Sequence, residues 1–166
     1  GIESIRTLIA AAKSLATSAL SGETTSDINT LMNQYHQVLS QIDTIAADSG
    51  YKGVNLLDSS SVTHQVKFDE LGVSNLTITG FDADSTGATL TLMSFTTTNQ
   101  WVSSGGTADK LDINSAITRL DSATRSLRTE SSKLANNLSI ITARQDFTQG
   151  MINVLKDGAG SLTNAD

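Results

Sequence analysis

The 166-residue chain contains neither cysteine nor proline. Without thiols there can be no disulfide framework and no thiolate metal centre. Without proline no position is barred from a helix by a missing N–H, so long unbroken helices are open to it. Aromatic residues make up only 4% of the chain, so its core must be aliphatic and built from many small contacts. No run of eighteen apolar residues occurs and no basic leader precedes an apolar stretch, so neither membrane insertion nor a cleaved secretory signal is expected. Basic residues are outnumbered, 11 against 17 acidic, giving a net charge of −6. That balance argues against nucleic acid as a partner.

The signatures of catalysis are missing too. There is no HExxH, no Gly-x-Ser-x-Gly and no Walker loop, and a metal-dependent hydrolase would need an insertion carrying the first of these. His36 falls in a helical pattern and His64 in an alternating one, without ligand spacing between them. Asp82 and Asp84 with Ser85 sketch a calcium loop whose later glutamate is absent, so a plain turn is expected. Asp69 and Glu70 are adjacent, which on a strand sends them to opposite faces. The chain is expected to be no enzyme and to need no cofactor.

Helical periodicity dominates what is there. From Asp109 to Asp157 steps of four and three pass through Ile113, Ile117, Leu120, Thr124, Leu127, Ser131, Leu134, Leu138, Ile141, Gln145, Thr148, Ile152 and Leu155. Arg119, Arg125, Arg128, Glu130, Lys133, Arg144 and Asp146 lie between them, so the stretch reads as one amphipathic helix. At about 1.5 Å per residue it would reach roughly 70 Å and would need partners along its side. Near the start, Ile2, Ile5, Ile9, Ala12, Ala16 and Ala19 form a stripe that thins to alanine, widened by Leu8 and Leu15, and Ser21-Gly22 ends it. Thr24 with Asp27 then forms a variant capping box. A second helix follows with its seam at Ile28, Leu31, Tyr35, Val38, Ile42 and Ile45, ending near Ser49-Gly50.

Between the helical blocks the period falls to two. Val62, His64, Val66 and Phe68 alternate with polar residues, as do Leu76 and Ile78, then Leu90 and Leu92, with Phe95 beyond. Three or four short strands are expected, and Ser103-Ser104-Gly105-Gly106 reads as a flexible return to the long helix. The fold class is therefore α+β, mainly α. A long antiparallel helical bundle, made of a helical hairpin and one long C-terminal helix, carries a small antiparallel β lobe. Its expected parts are an N-terminal hairpin over 1–57, a β-rich lobe over 58–107 and the C-terminal helix over 108–166. The packing seam is expected to join Tyr35 to Ile42 with Leu127, Leu134, Leu138 and Ile141.

Several phrases carry a family resemblance. The run from Ser14 to Ile28, the Gln41-Ile42-Asp43-Thr44-Ile45 that ends the second helix, and Gly50-Tyr51-Lys52-Gly53-Val54-Asn55-Leu56-Leu57 resemble the N-terminal core of bacterial flagellins. Leu120 to Arg128, Asn136 to Ile141, Arg144-Gln145-Asp146-Phe147 and the closing Leu162 to Asp166 are similar to the flagellin C-terminal core helix, closest to the short alphaproteobacterial kind. Together the phrases span about two-thirds of the chain.

The resemblance implies a secreted, extracellular subunit of the flagellar filament, exported through the flagellar type III apparatus. Its implied partners are further flagellin subunits in a homopolymer, hook-associated and cap proteins, and an export chaperone that binds a terminal segment. Flagellins carry further terminal helices, so the sequence is expected to be a core fragment. Lys13 and Gln34 match the arginine and glutamate that the animal innate flagellin receptor reads in other members. Arginine's planar fork is not reproduced by lysine, and glutamine removes the charge. A hook-to-filament junction protein and a secreted coiled-coil adhesin share the same helical plan.

Overall fold

A computed structural model of the chain describes residues 1–49, 55–57, 63–68, 75–87, 89–92 and 100–165. The chain is mainly helical: α1 spans Ile2–Leu20, α2 Thr25–Asp48 and α3 Lys110–Ala165, with two short strands, β1 Thr63–Lys67 and β2 Asn75–Thr79, paired as an antiparallel sheet. It divides into two compact units, one of residues 1–64 and 79–131, the other of residues 65–78 and 132–166. Residues 58–107, expected as a separate lobe, are thus shared between the two.

In the first unit the hairpin of α1 and α2 is set by its turn. Ser21 is the C-cap of α1, and the Gly22 N–H donates to the Ala19 carbonyl at 3.0 Å. A side chain at Gly22 would run into Ile28 of α2, so glycine is required by the close approach of the two helices. Thr24 then caps α2, its hydroxyl accepting from the Asp27 N–H at 3.1 Å as the capping pattern foretold. At the far end of α2 the Asn55 side chain donates to the Ala46 and Ala47 carbonyls (2.6 and 2.9 Å) and accepts from the Leu57 N–H. Those carbonyls belong to the last turn, where no intrahelical donor reaches them.

The core of this unit is a set of three stripes. On α1 it is Ile5, Ile9, Ala12, Ala16 and Ala19, on the positions expected. On α2 it is Ile28, Met32, Tyr35, Leu39, Ile42 and Ala46, so three expected seam residues, Leu31, Val38 and Ile45, are only half-buried. On α3 it is Ile113, Ala116, Leu120, Ala123 and Leu127, with Ile117 and Thr124 half-buried. At Ala46, Ala116 and Ala123 the smaller of two neighbours is the buried one and Ile45, Ile117 and Thr124 stay at the rim, whereas Met32 matches Leu31 in bulk and Leu39 exceeds Val38.

The segment expected as strands around Leu90 and Leu92 is a turn that buries both residues, and among the described residues there are two strands. Val62, Asp69, Glu70 and Phe95 lie outside the described residues. The return to α3 is a hydrogen-bonded hairpin turn and no loose linker. Val102 bridges Ala108, Ser103 exchanges with Thr107, and Gly106 takes the left-handed φ of 81° that the turn requires.

β1 and β2, most of whose residues belong to the second unit, alternate as read, with His64, Val66, Leu76 and Ile78 on the more covered face. Arg144 of α3 stacks over the Phe68 ring, 4.4 Å from its centroid. The α3 seam does not continue into a core here. Leu134 and Ile141 are half-buried and Leu138 is 64% exposed, so the expected burial of Leu138 is corrected.

This contrast is testable in one pair of variants. Leu127→Ala, which empties a fully buried site, should cost about 2 to 5 kcal/mol in urea denaturation. Leu138→Ala should stay within about 0.5 kcal/mol of the wild type, as an exposed substitution does.

Candidate assembly surface

The C-terminal part of α3 concentrates apolar surface in solvent. Besides Leu138, it exposes Ile140, Phe147 (70%), Met151, Ile152, Val154 and Leu155 (66%). At roughly 100° per residue, Val154, Phe147, Ile140, Met151, Leu155, Ile152 and Leu138 follow one another around a single face about 200° wide. Scattered single apolar residues are ordinary on a surface, but rows of them along one helix mark a surface that meets another. Within 132–166 the charges cancel: Lys133, Arg144 and Lys156 face Asp146, Asp157 and Asp166, so the whole excess of −6 resides in the rest of the chain. Parallel copies of this stretch would meet without net repulsion.

Hydroxyl groups along the helices are turned inward upon the backbone. Thr124 donates to the Leu120 carbonyl, Thr148 to that of Arg144, Thr118 to that of Asn114, and Thr7, Thr30 and Thr44 do the same on α1 and α2. Each bond satisfies the hydroxyl within its own helix and leaves the methyl outward. The polar seam positions Thr124 and Thr148 therefore cost little in desolvation when another surface approaches. A shallow groove between α1 and α2 has the same character: Leu8 and Ile45 line it with Ser4, Thr7, Gln41 and Thr44, without a charge.

The two positions matching the receptor patch lie on different helices. Lys13 of α1 is held by Asp121 of α3 at 2.7 Å, both side chains being nearly half exposed. Gln34 lies on the exposed side of α2. Lys13 is thus engaged in tying two helices of the first unit together, a role that spacing alone did not reveal. As an exposed pair it contributes at most about 1 kcal/mol.

The Asp82 carboxylate accepts from the Asp84 N–H and lies against Gly87, which makes a turn. No group of three His, Asp or Glu among the described residues could hold a metal, and no described helix is long and apolar enough to cross a membrane. One buried cluster was not foreseen: Trp101, fully buried, packs on Tyr35 with ring centroids 5.0 Å apart, and His36 meets Tyr35 edge-on. Trp101 also accepts through its carbonyl from the Asp109 N–H, and Asp109 caps α3 by accepting from Asp112. The sole tryptophan was visible in the sequence, but the lone aromatic lies outside any periodic run.

No protein-family model matches the chain, and no curated protein matches it significantly.

Burial raises the Tyr35 hydroxyl well above its ordinary value of 10.0, against a smaller opposing pull from Arg119. The folded state keeps this proton where the unfolded chain releases it, so the stability is complete below pH 10 and falls as pH rises beyond it. Burial also lowers His36 from 6.5, so stability falls as pH drops through that range. Melting curves should therefore show an alkaline decline above about pH 10 that Tyr35→Phe flattens, and a shallower acid decline that His36→Gln flattens.

Proposed function

We propose that this chain is a structural subunit of a bacterial flagellar filament, working outside the cell by helical self-packing and without catalysis. Its partners are then further copies of itself, with hook-associated and cap proteins at the ends of the polymer. The observation that carries the reading is the broad exposed apolar face of α3 from Leu138 to Leu155. A face about 200° wide is more than one neighbouring helix covers, and a polymer of identical rods supplies further neighbours through an open, heterologous contact. The flagellin-like phrases from Leu120 to Phe147 run along this same helix. The inward-turned hydroxyls and the alanine positions support close approach of one helix to another, as a filament wall requires.

Sedimentation velocity over a concentration series, with electron microscopy of the most concentrated sample, tests this. The wild type should associate as concentration rises. Phe147→Ser combined with Leu155→Ser should weaken association at least about tenfold, since each large apolar side chain buried contributes about 1.5 to 3 kcal/mol. The midpoint of thermal unfolding should hardly move, because both residues are exposed in the single chain. Unchanged association in the double variant would remove the proposal's basis.

A further inference from the structure

Residues Phe81–Gly87 and Thr89–Leu92 have no regular secondary structure, yet Phe81, Ala83, Ser85, Leu90 and Leu92 are all buried. The segment is anchored at three places within the first unit. The Phe81 and Ala83 N–H groups donate to the Leu56 and Leu57 carbonyls at 2.8 and 2.9 Å. The Ser85 N–H donates to the Asp43 carboxylate of α2 at 2.7 Å. At the other end the Arg119 guanidinium of α3 donates to the Thr91 carbonyl at 3.2 Å. A loop that buries its apolar side chains while bonding to both α2 and α3 is a spacer between them.

Thr91 is the singular point of that spacer. Its φ is 47°, the left-handed region that a β-branched residue disfavours, and no other described non-glycine residue has a positive φ. Both sides of the residue are held. Its N–H donates to the Gly87 carbonyl at 2.8 Å, and the next N–H, of Leu92, donates to the Ser85 carbonyl at 2.7 Å. Its own carbonyl is taken by Arg119. A conformation of this kind persists only where its surroundings over-determine it.

We propose that this segment is a strained, releasable strap, a conformational device in which the Arg119 clamp holds Thr91 in its left-handed state and so keeps Leu90 and Leu92 seated. Loss of the clamp lets Thr91 relax to negative φ, which breaks the Leu92 to Ser85 bond and unseats the two leucines. Asp43 keeps the other half of the strap on α2. The first unit then has two packings that differ in the contact between α2 and α3, with the α1–α2 hairpin common to both. This inference does not depend on the filament reading.

Amide hydrogen exchange on the full chain tests it with three variants. Arg119→Met keeps the stem and removes the donors. It should raise exchange at Thr91 and Leu92 together by roughly tenfold or more, while the amide of Ser85, held by Asp43, and those of Ile9 and Ile42 stay protected. Thr91→Asn, a residue that tolerates the left-handed region, should slow exchange at the same two amides in the wild-type background. Combined with Arg119→Met, it should restore most of the lost protection. Unchanged Thr91 and Leu92 in Arg119→Met, an equal rise at Ser85, Ile9 and Ile42, or no slowing and no rescue by Thr91→Asn would each overturn the strap.

Discussion

A helix of 56 residues reaches about 84 Å, and no partner within the described chain accompanies its apolar residues over that whole length. Everything else follows from this constraint. Over its first five turns α3 finds a core, because the small residues Ala116 and Ala123 admit α1 and α2, whose own stripes also end in alanine. Beyond Ser131 the same kind of sequence continues, but Leu138, Phe147 and Leu155 stand in solvent. Exposing side chains of this size is unfavourable by about 1.5 to 3 kcal/mol each relative to burial. The surface is therefore best understood as half of a contact.

The first unit is set by a series of local devices at its helix ends. The Gly22 turn and the Thr24 cap set the α1–α2 hairpin, Asn55 closes the last turn of α2, and Asp109 starts α3 beside the buried Trp101. Each device satisfies backbone groups that a helix end leaves open, which is why none of them is interchangeable with a generic polar residue. Lys13 with Asp121 and Arg119 with Thr91 then tie α3 to the elements around it.

Much of this could be read from residue order, and the misses share a physical origin. The α1 stripe, the capping Thr24 and the ends of α1 and α2 are local properties, decided within a few residues, and they stand as read. On α2 and α3 every other seam position stands as read, at Ile28, Tyr35, Ile42, Ile113, Leu120 and Leu127, while Met32, Leu39, Ala46, Ala116 and Ala123 are buried one residue away from the expected Leu31, Val38, Ile45, Ile117 and Thr124. Steps of three-then-four and four-then-three differ by one residue, and only the neighbouring helix decides between them. Leu90 and Leu92 alternate as a strand would, but a turn with two long-range anchors holds them, and anchors such as Asp43 and Arg119 have no signature in spacing. The exposed stretch of α3 looked like core for the same reason: an apolar stripe tells that a partner exists, without telling which chain supplies it.

The absence of cysteine makes the central proposal, that the broad apolar face of α3 is covered by other copies of the chain, directly measurable. Single variants Phe147→Cys and Leu155→Cys can be reacted with a thiol reagent in dilute solution and again after assembly at high concentration. Both should label rapidly when dilute and become protected together in the assembled state, while a cysteine replacing exposed Lys110 keeps one rate throughout. Equal labelling of positions 147 and 155 before and after assembly would contradict the account.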